Sequence, residues 1–61
     1  MITVYWSGPG YYGRTDHGLY WIGLDGDAED LRLKALQLRL CLVGFFGDKT
    51  HAVNWAREQG K

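Results

Sequence analysis

A lone cysteine, Cys41, is the tightest constraint on what this chain can fold into. With one thiol there is no intramolecular disulfide, and Cys41, His17 and His51 are too few and too scattered for the usual four-ligand zinc pattern. The sequence therefore implies no metal and no cofactor. In 61 residues that leaves only side-chain packing and association as supports. A chain this short buries roughly 60% of the surface its unfolded form exposes, and one core of this size supplies about 3–5 kcal/mol. The means for packing are present. Apolar residues make up 46% of the chain and aromatic residues 15%, including three Trp and four Tyr, which bury large areas per residue. The expected organisation is a single small α+β domain over residues 1–61.

Charge narrows the function classes. Seven basic residues balance seven acidic ones, whereas nucleic-acid-binding domains usually carry a basic excess because phosphate contacts dominate their affinity. No apolar run approaches the ~18 residues of a membrane span. The start, MITVYWSG, lacks the basic and apolar regions of a secretory leader. A lone cysteine without such a leader fits a reducing cytoplasm. Neither repeats nor low-complexity tracts occur.

Residues 2–7 alternate, with Ile2, Val4 and Trp6 on one side and Thr3, Tyr5 and Ser7 on the other, all of strand-favouring type except Ser7. Residues 19–24 read as a second strand. Between them lies a stretch from Ser7 to Gly18 whose Pro9 and glycines argue against regular structure. The expectation is a hairpin with a loop of about ten residues, longer than the usual 2–5.

The segment 28–43 is ambiguous. Its leucines alternate like a strand, yet they also form two helical stripes. Leu31, Ala35, Leu38 and Leu42 make one; Leu33, Leu36, Leu40 and Val43 make the opposite one. Leu, Arg, Lys, Ala and Gln are strong helix formers, and no Gly, Pro, Asn or Asp stands between Asp30 and Gly44. These facts predict one helix over 28–43, with Asp27 as N-cap, Glu29 and Asp30 in the first turn, and Gly44 as the residue after the C-cap. In that helix Cys41 is a small core residue. A helix apolar on two faces needs a cover on both, which demands either a sandwiched helix or a dimer. Asp48 is a good N-cap for a second helix over 49–59, with Ala52, Val53, Trp55 and Ala56 on its apolar side and Gly60 as its stop. The predicted order is β-β-α-α, an N-terminal β-hairpin packed on two helices.

The alternative order, β-β-α-β-α, shortens the first helix to 28–36 and makes 38–46 a strand. In that arrangement Gly44, Phe45 and Phe46, followed by Lys49, Ala52, Trp55 and Ala56, resemble the last strand and helix of three-stranded DNA-binding domains found at integrase N-termini and in a class of plant transcription factors. The resemblance covers under a third of the chain. The Arg- and Lys-rich first two strands of those domains are absent, and no family is assigned.

The loop 8–18 is the most unusual feature. Tyr11, Tyr12, Arg14, Asp16 and His17 mix contact-prone side chains with glycines. The alternative role for Tyr11 and Tyr12 is to fold back over a small core. Gly8 to Gly13 spell G-x-G-x-x-G, but Pro9 and the lack of a following helix remove its meaning as a phosphate loop. On the hairpin, if Ile2, Val4 and Trp6 point inward with Tyr20, Ile22 and Leu24, then Tyr5 and Trp21 stand side by side outside as an apolar patch. The free hairpin edges also permit strand addition. The acidic cluster Asp25, Asp27, Glu29 and Asp30 misses the EF-hand spacing and is accounted for by helix capping. Ser7, Cys41, His17 and His51 are the only raw material for a nucleophile and base, and a chain this size struggles to enclose a pocket of ~300 Å³.

The expectation is a non-catalytic protein that binds another macromolecule through Tyr5, Tyr11, Tyr12, Arg14, His17 and Trp21. Its most economical form is a small stoichiometric inhibitor or adaptor of phage or mobile-element type, blocking a protein partner sterically. The competing expectations are a small nucleic-acid-binding domain using Arg14, Lys34, Arg39 and Lys49, and a structural homodimer.

Overall fold

The computed structural model describes residues 2–60. Along the chain it places β1 (Thr3–Tyr5), β2 (Gly10–Arg14), β3 (Gly18–Gly23), α1 (Ala28–Gln37), β4 (Cys41–Phe46) and α2 (Lys49–Gln59). The fold is α+β, with a four-stranded sheet in the order β1-β3-β2-β4. β1 runs parallel to β3, while β2 is antiparallel to both β3 and β4. The two strands expected to form an antiparallel hairpin are therefore neighbours, but parallel ones.

The difference arises in the Gly/Pro-rich stretch, which contains β2, an interior strand of the sheet. Glycines that read as breakers are places where other groups pass close to the backbone. A Cβ on Gly13 would lie 2.8 Å from Cβ of Leu40, and one on Gly10 would lie 2.7 Å from the carbonyl oxygen of Gly23. Between them Tyr12 is completely buried. Its hydroxyl accepts from the Ser7 amide at 3.0 Å and donates to the Gly8 carbonyl at 2.6 Å. The ring thus fills the core while its polar end fixes the turn that starts β2. Pro9 lies just outside the strand, where its missing N–H costs no ladder bond.

The second correction is the end of α1. The single long helix over 28–43 does not form; the helix stops at Gln37 and 41–46 is strand, as in the alternative order. No glycine is needed because Arg39 itself adopts a left-handed conformation, φ 61°. The Leu40 amide donates to Ala35 O at 2.7 Å and the Arg39 amide to Leu36 O at 3.0 Å, the double bond of a Schellman ending. Leu40, just past it, is buried with Leu31 and Ala35. Burial of Leu40 and pairing of 41–46 with β2 outweigh the propensity that favours a longer helix. Gly44 lies within β4, and Cys41 is exposed there.

Because side chains alternate along strands, the sheet has two apolar faces. One carries Leu19 of β3, Tyr12 of β2 and Phe46 of β4, packed with Ile2 and with Ala52 and Ala56 of α2; Val4, Trp6 and Trp55 border it. The other carries Ile22 of β3, packed with Leu31 and Ala35 of α1 and with Leu40, and bordered by Tyr11, Tyr20 and Leu42. The sheet is thus sandwiched, α1 on one face and α2 on the other. Strands β3 and β4 are both antiparallel to β2, so α1 carries the chain across β2 from one to the other.

Candidate interaction surface

The residues singled out in sequence are dispersed by this topology. The register places Val4 opposite Leu19 and Tyr5 opposite Tyr20. Tyr5 therefore lies on the α1 face, where its ring stacks on Tyr20 at 4.9 Å between centroids. Trp21, one position out of phase with Tyr20 and paired with Tyr12, lies on the α2 face. Tyr5 and Trp21 are both exposed, but they do not form the expected side-by-side patch. The sequence reading put Tyr20 and Ile22 in phase with Val4; the parallel register shifts them by one residue, which flips every side chain.

Tyr12 offers no contact surface, because it is core. Tyr11 is half-buried on the α1 face, edge-on to Phe45 at 5.3 Å. Arg14 turns toward α2, its guanidinium 5.6 Å from the Trp55 ring and 3.4 Å from Oε1 of Gln59. It is held by internal contacts, and its aliphatic stem and planar head lengthen the core on that side. His17 is exposed in the β2–β3 turn, where the Thr15 hydroxyl accepts from the amides of His17 and Gly18. The Trp21 indole N–H donates to the Pro9 carbonyl at 3.3 Å, which ties its ring against the turn before β2.

What the structure leaves exposed on the α1 side of the sheet is a set of large apolar side chains. Leu31 and Ala35 point into the core, so the helical period puts Leu33 and Leu36 on the opposite side. Both are exposed, at 54% and 65%. Leu24, in the β3–α1 connection, and Leu38, at the α1 C-cap, are exposed as well, and so are Tyr5 and Phe45 on the same face of the sheet. Among the described residues, Trp21 is the one exposed large hydrophobic side chain that lies on the α2 face of the sheet. Charged residues flank Leu33 and Leu36: Glu29, Asp30, Arg32 and Lys34 are all exposed on α1. Leu33 and Leu36 within this polar border have the composition of a small docking surface.

The signal for it was present in sequence as the second leucine stripe of 28–43 and its demand for a cover. The stripe is shorter than its sequence spacing implies, because Leu40 folds into the core and Val43 joins β4. Leu24, Leu38 and Phe45 gave no signal of their own, since an isolated apolar residue beside a strand or helix reads as core.

The nucleophile and base candidates lie apart. Cys41 is on β4, His51 is exposed in the first turn of α2, His17 is in the β2–β3 turn, and Ser7 precedes β2. Among the described residues no hydrogen bond joins any two of them, and no cluster of three His, Cys, Asp or Glu stands ready for a metal ion. Asp25, Asp27, Glu29 and Asp30 are all exposed around the start of α1, and the Asp27 side chain makes no cap hydrogen bond. Concavities are open and shallow, such as the groove between β1 and α2 lined by Val4, Lys49, Val53 and Arg57. No helix among the described residues is long and apolar enough to cross a membrane. The chain matches no protein-family model, and comparisons with curated proteins and with solved structures find no significant match.

Proposed function

We propose that this protein is a non-catalytic binder, a small stoichiometric inhibitor or adaptor that docks on a protein partner and blocks that partner's surface sterically. The observation that carries the proposal is the uncovered leucine stripe of α1. A domain with little core to spare leaves Leu33 and Leu36 in water, although covering each would be worth on the order of 1–2 kcal/mol. The helix presents them one turn apart, the spacing by which an amphipathic helix inserts anchors into an apolar groove. Glu29, Arg32 and Lys34, exposed on the same helix, supply orientation at the rim of this pair. Of the residues expected from sequence, Tyr5 shares this face of the sheet. His17 and Trp21 lie elsewhere and are not needed for docking here.

The test is affinity capture from a native-host lysate with tagged wild-type protein, with Leu33→Glu/Leu36→Glu, and with Trp21→Ala. Capture is done with and without nuclease and read by mass spectrometry. The expected result is a stoichiometric, nuclease-resistant protein that is retained by Trp21→Ala and lost with the double variant, whose circular dichroism and melting temperature stay near wild type. Material that disappears on nuclease treatment, with affinity falling steeply as salt rises, would replace this proposal with the nucleic-acid-binding alternative. A protein partner held equally by the double variant would move the surface off α1.

A further inference from the structure

The sheet has two edges, and they are built differently. β1, on one side, is three residues long, and α2 packs against it. β4, on the other, is six residues long and ends the sheet beyond β2. Among the described residues no backbone or side-chain hydrogen bond reaches β4 from any segment other than β2. Its outward N–H and C=O groups are open. Natural edge strands are protected by charge, proline, brevity, bulges or a covering segment. From Leu40 to Gly47 this chain has no charged residue and no proline. β4 does carry a bulge, with Val43 unpaired between Leu42 and Gly44 and Gly44 at φ 151°, but Cys41–Leu42 and Gly44–Phe46 on either side of it stay in regular register with β2.

We propose that β4 pairs antiparallel with β4 of a second copy of this chain, so that two sheets join into one across a twofold axis. Three features favour a second copy over a foreign strand. An uncharged segment meets itself without like charges opposite one another. The twofold perpendicular to the sheet also sets the two α1 helices antiparallel on the same face. Along α1 the charges are polarised, acidic at Asp27, Glu29 and Asp30, then basic at Arg32, Lys34 and Arg39. Antiparallel helices bring the acidic end of one toward the basic end of the other and oppose their dipoles favourably. Finally, a disulfide-free chain of this length gains most from association. The isologous pairing closes after two copies, because each copy contributes its single open long edge. Leu33 and Leu36, the pair that carries the proposed docking surface, point away from the sheet, whereas Cys41 and Phe45 belong to the β4 edge, so the two inferences are tested at different residues.

Sedimentation over a concentration series distinguishes the possibilities. Wild type is expected to run as two chains and to dissociate on dilution. Cys41→Lys and Phe45→Lys, both at exposed edge positions, should each weaken self-association at least tenfold while circular dichroism stays unchanged. Leu33→Lys should leave it intact. If one edge variant fails to fold, the other decides. Concentration-dependent protection of β4 amides against hydrogen exchange in the wild type gives a readout without any substitution. Wild type running as a single chain at all concentrations would overturn the inference, as would a dimer that survives both edge variants or is lost in Leu33→Lys.

Discussion

The two helices do the same structural job, each covering one face of a single sheet, and they do it with different completeness. α2 is finished. Asp48 caps it, its carboxylate accepting from the His51 amide at 2.8 Å. Ala52 and Ala56 are buried, and Val53 and Trp55 are half-buried, so its apolar side is used. α1 begins at Asp27 with no side-chain cap bond, buries only Leu31 and Ala35, and ends on a left-handed arginine. Its outer face keeps two leucines in solvent. α2 has the side-chain cap and the covered apolar side; α1 has the favourable charges at its ends and a double-bonded ending, but lacks the cap bond and leaves apolar side chains uncovered. Where consistency across levels lapses is where function is sought, and this contrast is what supports the proposal of a docking surface on α1.

The largest expected effect lies on the finished side. Tyr12→Ala removes the ring that stacks on Trp6 at 5.3 Å and meets Phe46 edge-on at 5.8 Å, together with the hydroxyl that holds the turn before β2. A loss of about 3–5 kcal/mol equals or exceeds the stability of such a domain, so the variant should be unfolded at room temperature by circular dichroism. Leu31→Ala, on the α1 side, should cost about 2–3 kcal/mol and leave a measurable melting transition at reduced temperature. If the order were reversed, the α1 face would be the principal core and the comparison would fail.

The caps provide a cleaner contrast, because they change no packing. Asp48→Ala should destabilise by about 1 kcal/mol, since it deletes a capping hydrogen bond. That corresponds to a fall of about 4–8 °C in melting temperature for a domain of this size. Asp27→Ala deletes no such bond and loses only a charge near the helix dipole, about 0.3–1 kcal/mol at low salt and less as salt rises. Thermal melts of both at two ionic strengths check this. Equal, salt-insensitive losses would mean that Asp27 caps as Asp48 does.

How much of this was legible beforehand divides along the same line. Helix α2, its Asp48 cap and its apolar residues were readable, because each signal was local and all agreed. The α+β class was readable as well, and so was the strand character of β1 and β3. The β2 strand was not, since its glycines serve close approaches by Leu40 and Gly23, contacts invisible until the sheet forms. The parallel register of β1 on β3 followed from that omission, and with it the placement of Tyr5 and Trp21 on opposite faces. Aromatic and arginine content on a presumed loop pointed to contacts, but Tyr12 and Arg14 turned out to serve the interior. The stripe Leu33–Leu36 was legible as an apolar face in need of a cover, though not as one left open.

The smallest effect addresses the least legible feature, the end of α1. No residue between Asp30 and Gly44 announces a stop, yet the chain turns at Arg39, at a conformational cost of about 1–2 kcal/mol for a residue with a Cβ. Glycine escapes that cost, while it enlarges the entropy of the unfolded chain by somewhat less. Arg39→Gly should therefore stabilise the protein by up to about 1 kcal/mol and raise its melting temperature by a few degrees. The Arg39 side chain is exposed, so little packing is lost to offset the gain. Ala at the same position keeps the Cβ and should show no such rise, which separates relief of backbone strain from removal of the guanidinium. A lower melting temperature for Arg39→Gly would mean that the α1–β4 connection draws its stability from the arginine side chain, and α1 would then be better anchored than its two buried residues indicate.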